Sequence, residues 1–216
     1  MNGIDLHLHS YYSDGNWSPR ELTEHAVSLG LNTISLTDHD TTAGLLEARR
    51  TALDRINFID GVEISSRFKM AGRVVEENLH ILGYFIDSAS STLEKALAFN
   101  REIRLDYVRK MVSLLVKQGV ELDLERIIGN TVKGTIAKSH LANAILDSGI
   151  GYDVNEVYRK FFSKDRDSQF FIEREWLWAE EAIEAINSAG GIAIIAHPGY
   201  KEHSQEMFSK LKKSGL

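Results

Sequence analysis

The chain has 216 residues, 43% of them apolar and 26% charged, with a net charge of −6 and no cysteine. That composition suits one sizeable globular core. It excludes disulfides and thiolate metal sites, so any metal must rest on His, Asp and Glu. The acidic balance argues against stable binding of duplex nucleic acid, which needs a basic surface. A small phosphorylated substrate stays open, because bound cations reverse the local sign of an acidic site. No apolar run reaches bilayer length, and the N-terminus lacks a basic region followed by an apolar stretch. No membrane contact and no signal peptide are therefore expected, and a cytoplasmic location is.

Residues 3–8 read as a strand. Ser18, Pro19 and Glu21 form a helix start, with Ser18 as N-cap and Glu21 closing a capping box. Leu22, Ala26 and Leu29 continue it as a stripe, and Gly30 ends it. A strand at 32–37, a helix over about 43–53, and strands at 56–62 and 79–85 follow, with a hairpin or loop around Gly72 between the last two. This alternation predicts βα units and a mainly parallel sheet. From 91 to 176 the pattern turns helical. Ser91 and Glu94 open a long helix running to about Gln118, and Asp123, Ser139 and Asp153 are N-caps of shorter ones. The stretch reads as a helical insertion. A helix over 179–189, closed by Gly190-Gly191, and a buried strand at 192–196 resume the βα pattern.

Chemistry gathers where these strands run or end. His7 and His9, two apart on a strand, point to one side as a metal pair requires, although surface histidines on an edge strand share the pattern. Asp14, in Ser13-Asp14-Gly15, is a ligand or a turn residue. Thr37-Asp38-His39-Asp40 ends an apolar strand; one of the two aspartates is read as a cap for the next helix, and His39 as functional. Glu63 sits among apolar neighbours, where a carboxylate is costly unless paired or metal-bound, or else it is exposed on an alternating strand. His80 lies inside an apolar strand and is a ligand or a packed core residue. His197 ends the last strand, before a Pro198-Gly199 turn. Of eight histidines only His25, His140 and His203 fall outside this set, and His25 reads as a helix-surface residue. Together the positions describe a multinuclear site of nitrogen and oxygen ligands, suited to Zn, Mn or Fe.

Asp5-Leu6-His7-Leu8-His9-Ser10, Thr37-Asp38-His39-Asp40, Gly61-Val62-Glu63 and Ala196-His197-Pro198, in that order, resemble the motifs of the polymerase and histidinol phosphatase (PHP) superfamily. Ser13-Asp14-Gly15, Thr41 and His80-Ile81-Leu82-Gly83-Tyr84 make the chain most similar to its small phosphoesterases of nucleoside 3′,5′-bisphosphates, some of which trim short RNA from the 5′ end. The resemblance implies an α/β fold, a distorted (β/α)7 barrel built from 1–90 and 177–216. Residues 91–176 would cover its mouth. It implies two or three divalent metal ions, Mn, Zn or Fe, with Mg as a further option. His7, His9 and Glu63 would hold one; Glu63 would bridge to a second held by His80 and His197; Asp14 and His39 would hold a third. The implied reaction is hydrolysis of a phosphate monoester by metal-activated water, with His197 a candidate proton donor and Asp38 orienting a ligand histidine. Arg101, Arg104, Lys138, His140 and Arg174 fall where relatives carry basic residues, so they become candidate contacts to a nucleotide or an RNA 5′ end. Alternatives are exoribonuclease or histidinol-phosphatase-like activity, or an impaired metal- or nucleotide-binding module. The last arises because the family pattern continues to a Ser-Asp-x-His segment, while no Asp follows Asp167. On that reading the chain is a truncated form or fragment, or an incomplete relative, whose first and third metals each lose a ligand. Its barrel lacks its last strands, and the open edge invites a dimer or a partner segment.

Overall fold

The computed structural model describes residues 3–69, 76–129, 131, 134–162, 168–198 and 205–216. The expected Gly72 turn, Gly199 and His203 lie outside them. Strand β1 (Gly3–Leu8) leads through α1 (Pro19–Ser28) to β2 (Leu31–Leu36), and α2 (Leu45–Ala52) leads on to β3 (Asn57–Lys69) and β4 (Glu76–Tyr84). Four helices follow: α3 (Ser91–Lys117), α4 (Leu124–Gly129), α5 (Lys138–Asp147) and α6 (Val154–Phe161). Then come β5 (Leu177–Trp178), α7 (Ala179–Ser188), β6 (Ile192–Ile195) and α8 (Gln205–Lys213). The α/β class follows from the sequence pattern.

Local chemistry explains most boundaries. The Ser18 hydroxyl accepts from the Glu21 amide at 3.1 Å, and the Glu21 carboxylate accepts from the Ser18 amide at 2.9 Å. Such a cap is worth about 1 kcal/mol. Asp123 and Asp153 cap α4 and α6 as expected, accepting from the amides of Arg126 and Glu156. Two caps differ from expectation. Ser90, not Ser91, caps α3, because the helix already includes Ser91 and needs its acceptor outside the first turn. Ser139 lies within α5; the start of that helix is instead tied by the Ala137 amide donating to His140 Nδ1 at 3.0 Å.

Among the described residues the sheet is mixed, with three parallel strand pairs, β3–β5 among them, and two antiparallel ones that the sequence did not predict. Strands run in the order β1-β2-β3-β4-β6, with β5 pairing β3. The β1–β2 and β2–β3 pairs are parallel, but β3–β4 and β4–β6 are antiparallel. The reason is the length of β3, whose 13 residues run past the predicted end at 62 and fold back as a hairpin with β4. That hairpin sets Ser65 opposite His80 and Glu63 opposite Leu82.

Besides a small cluster of Leu82, Tyr84 and Ala196, the described residues form two large apolar cores. One packs α7 against β3 and β4, through Ile183, Ile186, Ile64 and Ile81. The other lies among the helices of 91–162, through Met111, Leu115, Leu141 and Ile145. Helix α3 contributes Leu93 and Leu97 to the first and the residues from Tyr107 to Leu115 to the second, so it belongs to both. Because one rigid helix joins the cores, Met111→Ala and Ile183→Ala should each cost about 2–5 kcal/mol. Both should shift a single shared transition when urea unfolding is followed by circular dichroism, rather than splitting it into two.

Candidate metal centre

The chemistry-bearing residues converge on the Glu63 carboxylate. It lies on β3 at 1% exposure. Its Oε2 is 3.0 Å from His7 Nε2, 3.1 Å from His9 Nε2 and 3.2 Å from His39 Nδ1. Its Oε1 is 2.9 Å from His80 Nδ1 and 3.2 Å from His197 Nε2. Asp14 extends the cluster, 3.4 Å from His9 Nδ1 and 3.6 Å from His39 Nε2. All seven sequence candidates for metal ligation therefore meet at one place.

Backbone geometry makes this convergence possible. His39 continues β2 as a parallel bridge to Glu63, with the Asp40 amide donating to the Glu63 carbonyl at 2.9 Å. His80 is brought to Glu63 by the β3–β4 register. His197 follows β6 with φ 34, and Asp40 follows His39 with φ 52. Non-glycine residues in that left-handed region carry strain of about 1–3 kcal/mol, which gathers at functional sites.

Five imidazoles around one carboxylate exceed what hydrogen bonding alone accommodates, since an ionised carboxylate offers about four lone-pair sites. His39 Nδ1 demonstrates the excess: it lies within 3.2 Å of Glu63 Oε2, yet it is buried and makes no hydrogen bond. Cations among these atoms would use the nitrogen lone pairs and relieve the crowding. Three groups have mutually close ligand atoms: His7–His9–Glu63, His9–Asp14–His39 and His39–Glu63–His80. Among the described residues, the first is the group expected from the sequence, the other two differ, and none of the three includes His197. His9 joins Asp14 and His39, and His39 joins His80 and Glu63. The donor set fits divalent Zn, Mn or Fe.

Electrostatics follow from the crowding. Burial pushes the Glu63 carboxyl up, but hydrogen bonds from His7, His80 and His9 outweigh it and hold the group well below the ordinary carboxylate range. Burial drives His39 well below its usual value and lowers His197 too. His9 is raised, because Glu63 and Asp14 overcome its burial.

Asp38 and Asp40 have roles other than capping. Helix α2 begins after Gly44, out of reach of either as a cap. Asp38 accepts from the Ser10 amide at 2.7 Å, the Ser10 hydroxyl at 2.6 Å and the Ser13 hydroxyl at 2.6 Å. These bonds offset the burial that raises its carboxyl. Ser13 Oγ is also 3.3 Å from His9 Nδ1, so Asp38 orients His9 through Ser13 rather than directly. Asp40, fully buried, pairs with Arg104 at 2.7 Å. Sequence reasoning missed Ser10 and Ser13 as functional side chains, although two serines flanking a ligand run were a legible signal.

The candidate substrate contacts divide. Arg104 is buried and paired with Asp40; Arg101 bonds the Asp40 carbonyl at 3.1 Å and pairs with Glu94. Both are thus tied into the protein. Lys138 lies over Tyr107 and Phe162 at 5.6 and 5.5 Å. Arg174 lies over Tyr107 and Trp176 at 4.9 and 5.1 Å, and pairs with no carboxylate among the described residues. Burial pushes Tyr107 up to about 12, so it stays a neutral phenol. His140 is lowered by burial and partly restored by the charge of Asp14; Tyr158 is raised by burial first, and by the charge of Asp14. His140 and Tyr158 therefore stand within electrostatic reach of the centre. Tyr158 was not expected from the sequence.

The model of the PHP domain matches residues 5–188. The chain belongs to the PHP domain family. Relatives include a 3′,5′-nucleoside bisphosphate phosphatase of Chromobacterium violaceum, 35% identical over 98% of this chain and 72% of its own length. A 5′-3′ exoribonuclease Rnm of Salmonella typhimurium is 30% identical over 96% of this chain and 69% of its own. Among solved structures, one assigned as a metal-dependent phosphoesterase of Bifidobacterium adolescentis superposes with a TM-score of 0.87. It is 27% identical and covers all of this chain and 75% of that one. An amidohydrolase of Chromobacterium violaceum with bound sulfate gives 0.85 at 33% identity, covering 99% and 74%. No described helix of this PHP chain is long and apolar enough to cross a membrane.

The depressed histidines set a pH dependence for the metal-free chain. Unfolded histidine titrates near 6.5, and folded His39 well below it. Below 6.5 the unfolded state then binds a proton that the native state refuses, so the contribution of His39 is complete above that value and lost as pH falls through the folded one. His197 and His140 act in the same sense and His9 opposes them. In chelator-treated protein the urea midpoint should fall between about pH 7.5 and about pH 5.5, and a flat midpoint would refute the assignment.

Proposed function

We propose that this chain is a metal-dependent phosphoric ester hydrolase acting on the phosphate monoester of a small nucleotide such as a nucleoside 3′,5′-bisphosphate. The observation that carries the reading is the convergence of five histidines on Glu63 beside Asp14. A phosphoester hydrolase is what the family and the named phosphatases and phosphodiesterase among its relatives support. The bisphosphate substrate draws on the relative from Chromobacterium violaceum.

His7, His9, Asp14, His39, Glu63, His80 and His197 would hold two or three divalent cations, with Mn, Zn or Fe favoured by the donor set. Such cations supply Lewis acidity to phosphoryl oxygens and acidify an attacking water. The protein's own groups do the rest. Glu63, kept ionised, balances the charge gathered around it. Lys138 and Arg174, held over aromatic rings, offer cationic contacts to the substrate's remaining phosphate oxygens. His140, whose Nδ1 accepts from Ala137, carries its proton on Nε2 and can donate it to a substrate oxygen. His197, 42% exposed at its side chain, is the most exposed of the candidate ligands; burial lowers its imidazole, which suits a neutral ligand better than the proton donor considered from the sequence. No serine or cysteine nucleophile is required.

A second reading, trimming of short RNA from its 5′ end, draws on the exoribonucleases among the relatives. Both readings use the same centre, and relative rates on adenosine 3′,5′-bisphosphate and on short 5′-phosphorylated RNA separate them.

Phosphate release from adenosine 3′,5′-bisphosphate should depend on added Mn²⁺, vanish with chelator and be absent from a His7→Ala/His9→Ala variant. Release that persists in the double variant would remove the metal centre from the reaction. Arg174→Ala should raise KM by about 10- to 100-fold, the scale of one lost charge-assisted contact, with little change in kcat; steady-state kinetics at saturating Mn²⁺ check this.

A further inference from the structure

Helix α3 buries a stripe at Leu93, Leu97, Asn100, Arg104, Tyr107 and Met111. Two members of that stripe are polar, and buried polar groups require partners. Both find theirs beside the metal centre. Asn100 Nδ2 donates to Asp40 Oδ1 at 2.7 Å and to the Ser65 carbonyl at 2.6 Å. Arg104 Nε donates to Asp40 Oδ2 at 2.7 Å, and Arg104 Nη2 to Ser65 Oγ at 2.7 Å. Asp40 Oδ1 also accepts from the Ser65 amide at 2.9 Å.

The two residues so gripped are placed to matter. Asp40 directly follows His39, in a left-handed backbone at φ 52. Ser65 is two residues beyond Glu63 on the same strand face, opposite His80 in the register. Asp40, Asn100 and Arg104 therefore fix the spacing of His39 from Glu63 and His80, the three residues of one ligand group. The Asp40 carboxylate is fully buried and holds three donors, so it is committed to this role.

We infer that Asp40, Asn100 and Arg104 form a clamp that positions the His39–Glu63–His80 ligand group, making α3 part of the metal centre's scaffold rather than only its cover. The inference rests on the metal-centre reading above and assigns Arg104 a role different from substrate contact. Arg104 also lies over Trp176 at 5.2 Å, the ring shared with Arg174, so the clamp adjoins the cationic wall.

The test compares Arg104→Met, Arg104→Lys, Asp40→Asn and His39→Ala with the parent chain. Mn²⁺ affinity is measured by calorimetric titration of the metal-free proteins, and kcat and KM on adenosine 3′,5′-bisphosphate at limiting and at saturating Mn²⁺. Residues that orient metal ligands change metal affinity by about 10- to 100-fold when altered. Arg104→Met and Asp40→Asn should weaken Mn²⁺ binding on that scale and lower kcat at limiting Mn²⁺. Saturating Mn²⁺ should recover much of the loss, with KM within about threefold throughout. Arg104→Lys keeps the charge against Asp40 while losing the fork to Ser65, so it should fall between Arg104→Met and the parent; it folds even where Arg104→Met does not. Unchanged Mn²⁺ affinity in folded variants overturns the clamp, whether KM rises tenfold or more, which marks a substrate contact, or only thermal stability falls, which marks plain packing. His39→Ala separates the two layers. If it leaves both the number of bound Mn²⁺ ions and their affinity unchanged, the metal-centre reading fails; if it removes or weakens a bound Mn²⁺ while the clamp variants bind normally, only the clamp fails.

Discussion

One buried carboxylate organises this protein. Glu63 draws five imidazoles from β1, the segments after β2 and β6, and β4 within 3.2 Å of its two oxygens. Burying an ionised carboxylate is prohibitive unless it is surrounded by compensating charge or donors. The strands around it must therefore bring their polar groups to the same point. The long β3, the antiparallel turn back through β4 and the left-handed residues after β2 and β6 all answer that requirement. Elements farther away, such as α1 and α2, pack behind the sheet and are shaped by ordinary capping and apolar stripes.

Around the carboxylate lies a layer that fixes how each imidazole is presented. Asp38 gathers Ser10 and Ser13, and through Ser13 reaches His9. Asp40 gathers Ser65, Asn100 and Arg104. Neighbouring aspartates of one short segment thus face opposite ways, one toward the turn after β1 and one toward α3. Both are fully supplied with donors, which distinguishes them from Asp14, whose carboxylate is partly exposed and faces only histidines and Ser13.

Much of this could be read from residue order alone. His7, His9, Asp14, His39, Glu63, His80 and His197 stand out because ionisable groups in apolar strands are costly, and the cost implies a common partner. The antiparallel half of the sheet was not legible, because an apolar run carries no record of direction and β3 continues past a glycine-led segment that resembles an end. The fate of Arg101 and Arg104 was illegible for another reason. A basic side chain reads alike whether it faces solvent, substrate or a buried carboxylate. Only the helical phase of Arg104, in line with Leu97 and Met111, separates it, and that signal becomes decisive once the stripe is known to be buried. Lys138 and Arg174 needed three dimensions too, since Tyr107 joins both and Phe162 joins Lys138 from distant positions.

The contact at Gly134 has a consequence for how the helical stretch can be exchanged. A Cβ there would sit 1.9 Å from the Tyr12 carbonyl oxygen, whose acceptor capacity the Thr135 amide uses at 2.8 Å. The loop before α5 and the loop bearing Asp14 thus meet main chain to main chain, a fit that admits no side chain. A chimera that imports the helices of another family member therefore has to import a glycine at this seam as well. In this chain, exchange of the helical stretch is bounded by that joint as well as by the clamp residues it carries.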